Sequence, residues 1–530
     1  MTPDYLIIGA GTAGSLLAAR LSEDSATRVL LLEAGPAAWH PMIHIPAGVR
    51  SLHRNPRVNW NYTTEPTPGI DGRTMHWPRG RVIGGSGSIN GMLYVRGNPG
   101  DYDAWAAAGC PGWSYADVLP YFRKSERYAP GDERFRGKDG PMVVEDYRTV
   151  LPLTHRFVEA AQQAGFAFNK DYNGEHQEGV AYSQMTRRGR FRGSTAFSVL
   201  APARARSNLN VETCALVTRL VFEGKRCVGV TYRQRGTERT VRVNREVILA
   251  GGAINSPQLL QISGVGPAAH LRSIGVPVVH DSPGVGHHLI DHYVGFVTAR
   301  VKGEISINQL ARGWRLAREV FRYVFNANGA LTFGITSSTI FMRSRPDLAR
   351  PDVQLLFTPA SYSQAKFGEL EREPGVTVAV CIAQPASRGS VMARSPDPAM
   401  HPVIQPNYLS APADLQAIIA GMRRVREIFA APAFGGCVVE ELNPGPRATT
   451  DEAIAAAVRA TGTTVYHPVS TCRMGSDANA VVDPQLRVIG IEGLRVADAS
   501  VMPMVSTGNT NAPTVMIAEK AADLIRAAAR

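Results

Sequence analysis

The chain has 530 residues, 44% hydrophobic and 19% charged, which at about 100 to 200 residues per domain allows two to four domains with their own cores. That composition excludes a disordered chain and a small disulfide-stapled scaffold. The net charge is +12, but the basic residues are scattered, and the densest stretch (Arg187, Arg188, Arg190, Arg192) has no run of aromatics for stacking bases, so no nucleic-acid partner is expected.

Mean hydropathy is -0.11, and no apolar run approaches the roughly 18 to 20 residues that cross a bilayer. The six cysteines form no CxxC and no Cys/His spacing, so no metal site is expected. They read as buried free thiols, with Cys214 and Cys227 on neighbouring strands within reach of one another.

Tyr5 to Ile8 reads as a buried parallel strand, followed by Gly9-Ala10-Gly11-Thr12-Ala13-Gly14 and a helix from Ser15 to about Leu21. Val29 to Leu32 is a second strand, ending at Glu33 and Ala34. Gly9, Gly11 and Gly14 let backbone approach a pyrophosphate, whose charge sits at the helix N-terminus beside Thr12 and Ala13. Glu33 falls 19 residues after Gly14, where a carboxylate meets the hydroxyls of an unphosphorylated adenosine ribose, which favours FAD or NAD over NADP. The pattern begins at Asp4 and leaves no room for a secretory signal, so the expected location is cytoplasmic.

Further along come Gly80-Arg81-Val82-Ile83-Gly84-Gly85-Ser86-Gly87-Ser88-Ile89-Asn90-Gly91 and Gly251-Gly252-Ala253-Ile254-Asn255-Ser256-Pro257. Short β runs such as Val376 to Ile382 alternate with Pro-rich loops such as Ser395 to Pro398. Near the end stand Tyr466-His467-Pro468, Val496-Ala497-Asp498-Ala499-Ser500 and Asn509-Thr510-Asn511-Ala512-Pro513.

Together and in this order, these segments resemble the glucose-methanol-choline (GMC) family of FAD-dependent oxidoreductases over nearly the whole chain, and within it the bacterial choline-dehydrogenase-like alcohol dehydrogenases. The resemblance implies an α/β (α+β) fold: a Rossmann-type FAD-binding domain, discontinuous in sequence (1–155, 206–299 and 463–530), and a substrate domain on an antiparallel sheet (156–205 and 300–462). It implies FAD as cofactor, with Arg81, Gly84, Gly85, Ser86, Asn90 and Gly91 along the isoalloxazine and pyrophosphate. Val217 would meet adenine through its backbone, and Asp498 and Ala499 would complete the pyrophosphate and ribityl contacts. Some members attach FAD through a His at the position of Ile89, which has no nucleophilic atom, so FAD is expected to be non-covalent.

Alcohol oxidation by a flavin needs a base for the hydroxyl proton and a route for hydride to N5. The resemblance makes His467 that base, a role suited to a neutral imidazole. Asn511, 44 residues on, is the position expected to face the flavin and steady a developing alkoxide; it also suits a cap of the helix opened by Pro513. Tyr466, Phe333 and Phe357, with Tyr362, are candidates to line the alcohol pocket. The expected reaction takes a primary alcohol or polyol to an aldehyde or ketone, with electrons passed to a quinone or other non-oxygen acceptor. The alternatives are an oxidase forming hydrogen peroxide and a lyase of the hydroxynitrile type. A monomer or homodimer is expected. Peripheral contact with the inner membrane rests on net charge alone, with no amphipathic anchor read in the sequence.

Overall fold

The computed structural model describes residues 2–363 and 369–529. Two sheets organise it. In the first, five strands run parallel in the order Leu209–Glu212, Val29–Leu32, Tyr5–Ile8, Glu246–Leu249 and Leu494–Val496. Tyr5–Ile8 and Val29–Leu32 are buried at every position, as strands inside a parallel sheet must be when both faces are covered. The helix Thr12–Leu21 follows the first strand and packs against the last helix, Asn511–Ala528. A salt bridge of 2.7 Å from Arg20 to the buried Glu519 joins the two helices.

The second sheet has seven antiparallel strands. Its main path runs Val438–Asn443, Tyr293–Val301, Gly375–Ile382, Val353–Thr358, Ser338–Met342 and Gly179–Tyr182, and Thr463–Thr464 pairs with Tyr293–Val301. Helices Pro152–Gln163 and Pro412–Ala430 pack on this sheet. The architecture is therefore the α/β (α+β) one expected, with chain segments alternating between the two parts.

The division of the chain differs from the sequence boundaries in three places. Tyr293–Val301, counted with the cofactor part (206–299), is an inner strand of the antiparallel sheet, and Thr463–Thr464 pairs with it. Conversely, Ala196–Leu200, counted with the substrate part (156–205), packs on the helix Thr12–Leu21. A strand buried along nearly its whole length looks alike in either sheet, so periodicity carries no information about which one it joins.

Two further expectations are corrected. Cys214 is exposed, not buried, and it does not approach Cys227: Cys227 lies opposite Phe222 at one end of the hairpin, whereas Cys214 precedes Ala215, which pairs with Gln234 at the other. An amphipathic helix does exist, Gly313–Asn326, and it turns its apolar side outward. Among the described residues no helix is long and apolar enough to cross a membrane.

Candidate functional site

A cavity of about 1100 Å³ runs between the two sheets. At one end lie the turn after the first strand, the end of the second strand and the strand Ala215–Glu223. At the other lie Tyr466, His467, Asn509 and the apolar face of the antiparallel sheet.

The nucleotide end is shaped by backbone. Gly9 is left-handed (φ 95°), and a Cβ there would sit 2.6 Å from the Ala250 carbonyl oxygen. A Cβ on Gly14 would fall 1.9 Å from the Gly9 carbonyl oxygen, so its hydrogen lets helix and strand touch. The helix starts at Thr12 with no acidic residue in its first turn and no side-chain cap at Gly11, which leaves its N–H groups to an anion. Gly85 closes on this turn from the other glycine-rich loop: a Cβ there would sit 2.8 Å from Gly11 Cα. This cradle fits a pyrophosphate.

Glu33 is buried, and its carboxylate accepts the Ala10 and Gly35 N–H groups, each at 2.8 Å. Burial pushes it up to about 7, against those hydrogen bonds and the charge of Arg81. Asp498 accepts from the Gly252 N–H at 2.8 Å, the Ser256 hydroxyl at 2.6 Å and the Ser500 N–H at 2.8 Å. Its carboxylate thus ties the start of the helix Gly252–Ile262 to its own turn, residues 498–501, at the cavity wall.

The chemical end is built around His467. Asp291 fixes its backbone, accepting the His467 N–H at 2.7 Å and the Thr464 hydroxyl at 2.5 Å, and it also accepts the Tyr408 hydroxyl. Tyr466, just before, is left-handed (φ 64°), a strained conformation for a bulky residue. It is held by its own N–H to Thr464 Oγ1 (2.7 Å) and by Arg79 Nη2 donating to its carbonyl (2.7 Å).

The imidazole of His467 has a partner on each nitrogen: His292 Nδ1 lies 3.0 Å from its Nδ1, and Asn509 Nδ2 lies 3.1 Å from its Nε2. His292 Nε2 in turn lies 3.1 Å from the Ala383 carbonyl oxygen. A carbonyl only accepts, so His292 carries its proton on Nε2 and offers a bare Nδ1. His467 Nδ1 must therefore be the donor, which leaves the lone pair of His467 Nε2 free to accept. Burial holds His467 well below its ordinary 6.5, with the nearby His292 and Arg79 adding to the effect, so the resting form at neutral pH is the neutral imidazole. Burial also pulls His292 down to about 4.

Of the residues named from sequence, Gly9, Gly11, Thr12, Ala13, Glu33, Ala34, Gly85, Ser86, Asn90, Gly91, Val217, Tyr466, His467, Asp498, Ala499, Asn511 and Phe333 line the cavity. Five do not. Gly14 packs helix on strand, and Gly84 is left-handed (φ 91°) with Ser88 Oγ where a Cβ would be. Arg81 lays its guanidinium over the Trp60 ring at 4.9 Å, and Pro513 is buried in the first turn of the last helix. Phe357 stacks on Phe157 at 4.1 Å in the core of the antiparallel part, so it belongs to packing and not to the pocket.

Asn511 also differs from its expected place. It is the first residue of the helix rather than its cap, and its Oδ1 accepts the Thr12 hydroxyl at 2.9 Å. The amide that meets His467 belongs to Asn509, two residues earlier. Sequence reading missed Asn509 and His292; the Asn-Thr-Asn run offers two amides, and only the position of the helix start decides which one turns toward His467.

Comparison with known proteins agrees with this architecture. The GMC oxidoreductase family models match residues 3–294 and 385–518. The chain is 45% identical over 533 residues to the mitochondrial choline dehydrogenase of Mus musculus, covering 98% of this chain and 89% of that one. It is 42% identical to an alcohol dehydrogenase [acceptor] of Pseudomonas putida, covering 98% and 95%. The solved structure of pyridoxine 4-oxidase from Mesorbium loti superposes with a TM-score of 0.91 at 31% identity over 99% of both chains. By sequence and by architecture, this chain belongs to the GMC oxidoreductase family.

Proposed function

We propose that the chain oxidises a primary alcohol or polyol to the aldehyde or ketone, using non-covalent FAD and passing the electrons to a quinone or another non-oxygen acceptor. FAD is the cofactor indicated by the family, and the glycine cradle, the helix start at Thr12 and Glu33 fit its pyrophosphate and ribose. When bound, it supplies a hydride acceptor at N5. Ile89 lines the cavity and has no nucleophilic atom, which supports dissociable binding.

The observation that carries the reading is the bare Nε2 of His467, facing the cavity beside the Asn509 amide. The substrate hydroxyl donates to His467 Nε2, and Asn509 Nδ2 donates to the substrate oxygen, so the alcohol enters between the two groups that now touch each other. As the proton moves to Nε2, the Nδ1–H of His467 keeps its acceptor on His292, and negative charge on the substrate oxygen is met by the Asn509 N–H. The apolar walls, with Phe333 and Tyr466, exclude water from this step. The proposed location is cytoplasmic, at the inner face of the membrane, as a monomer or homodimer.

The test is the visible spectrum of the purified protein before and after anaerobic addition of aliphatic, benzylic and polyol alcohols and choline. Bleaching of the oxidised flavin band by one class is expected and names the substrate. An oxidised flavin that no alcohol reduces would contradict the reading and favour the lyase.

A further inference from the structure

The helix Gly313–Asn326 is built the wrong way round for a soluble surface. Helices on a globular protein normally turn their apolar stripe toward the core. Here the residues turned inward are Glu319 and Tyr323, both buried. Glu319 accepts the Ala330 N–H at 2.8 Å and a hydrogen bond from Arg322 at 3.0 Å, so the polar side is what fastens the helix to the protein. The outer side carries Trp314, Val320, Phe321, Val324 and Phe325, with relative exposures of 70%, 41%, 58%, 45% and 67%. At 100° per residue these fall on one arc, and the Phe321 and Phe325 rings meet at a tilt of 38°, 4.5 Å between centroids, in front of solvent.

The edge of this arc is basic. The guanidinium carbons of Arg315 and Arg318 lie 5.9 and 5.4 Å from the Trp314 ring centroid, and Arg190 donates to the Val324 carbonyl. The helix has one acidic residue, the buried Glu319. Its solvent face is therefore apolar and cationic, with tryptophan and arginine where the two meet.

We propose that Gly313–Asn326 is an interfacial anchor that seats the enzyme on an anionic phospholipid bilayer. An exposed apolar arc rimmed by arginine is the pattern of a helix lying in the headgroup layer, where acyl chains cover the apolar side and phosphates meet the guanidinium groups. Charge selects this occupant over a second copy of the chain. A symmetric contact of the patch with itself would bring Arg315 and Arg318 of both copies together, and the net charge of +12 opposes association further.

The position of the helix gives the anchor a purpose. Leu316 lines the cavity, as do Leu310 and Ala311 just before the helix and Ala330 and Leu331 just after it. The apolar wall of the cavity is thus continuous with the face laid on the lipid. A docked enzyme takes lipid-dissolved alcohols and acceptors from the acyl layer without passing them through water.

The inference does not depend on His467 being the base, and the two fail separately. The experiment is co-flotation of the holoenzyme with vesicles of phosphatidylcholine alone or mixed with phosphatidylglycerol, alongside a Trp314→Ser/Phe321→Ser/Phe325→Ser variant and an Arg315→Glu/Arg318→Glu variant. The wild type is expected to float with the mixed vesicles and to be released by salt. The aromatic variant should bind about tenfold more weakly or worse, with its bound flavin and its turnover with a soluble dye acceptor unchanged. The arginine variant should lose its preference for the anionic vesicles. A wild type that stays in solution with both vesicle types would overturn the anchor, as would an aromatic variant that floats equally well. A lipid-free dimer that the aromatic substitutions turn into a monomer would assign the face to a second copy instead.

Discussion

His292 faces His467 nitrogen to nitrogen, Nδ1 to Nδ1 at 3.0 Å, with the far side of His292 tied to the Ala383 carbonyl. A backbone carbonyl thereby determines, through one intervening ring, which nitrogen of His467 is free to take a proton. The two rings stand nearly perpendicular, with an interplanar angle of 87°.

The relay predicts a split between two substitutions at position 292. His292→Asn keeps a short side chain with an oxygen able to accept from His467 Nδ1–H, and should retain most of the rate of anaerobic flavin reduction. His292→Leu leaves that N–H buried without an acceptor, a cost of about 1 to 3 kcal/mol, so reduction should slow by about tenfold to a hundredfold. Equal rates in the two variants would show that His292 does not set the tautomer.

Burial holds His292 at about 4, below the ordinary 6.5. A histidine depressed in the folded state contributes full stability above pH 6.5, and that contribution is lost as pH falls toward 4, because the unfolded chain takes up the proton first. The unfolding free energy of the wild type relative to His292→Asn should therefore fall across this window, with a limiting slope of about 1.4 kcal/mol per pH unit, followed by denaturant titration at each pH. A difference independent of pH between 7 and 4 would mean that His292 is not held neutral.

Asn509 and Asn511 should separate by readout. Asn509→Ala removes the N–H beside His467 Nε2 and should slow flavin reduction by about 10² with FAD still bound. Asn511→Ala removes the acceptor of the Thr12 hydroxyl, and the expected effect is looser FAD, seen as lost flavin after gel filtration, with near-normal reduction of the flavin that remains. The opposite assignment of effects would restore the role expected for Asn511 from sequence.

Glu33→Ala should weaken FAD binding by about tenfold to a hundredfold, since it removes a carboxylate at the ribose end and leaves the Ala10 and Gly35 N–H groups unpaired. Acid precipitation of the wild type should leave FAD intact in the supernatant. Flavin retained on the washed precipitate would contradict the argument from Ile89.

Much of the nucleotide end was legible in the sequence because its chemistry is local. Strand, glycine turn, helix and Glu33 lie within 33 residues, and Gly9 and Gly14 each answer to one close backbone contact. The chemical end was legible only where a motif marks it, at Tyr466-His467-Pro468. His292 is 175 residues from His467, and no spacing rule connects them. Asn509 lost out to Asn511 because the turn before a helix, not residue count, aims the amide. Phe357 and the helix Gly313–Asn326 show one ambiguity from both sides: apolar periodicity says that a face will be covered, but not whether by core, substrate or lipid.

Whether His467 takes the substrate's proton is read by anaerobic stopped-flow reduction of the bound flavin by the best alcohol, in the wild type and in His467→Gln. The variant is expected to hold FAD with an unchanged oxidised spectrum and to be reduced at least about 10² more slowly. Reduction at the wild-type rate would remove His467 as the base, and with it the function of the relay from Ala383 through His292.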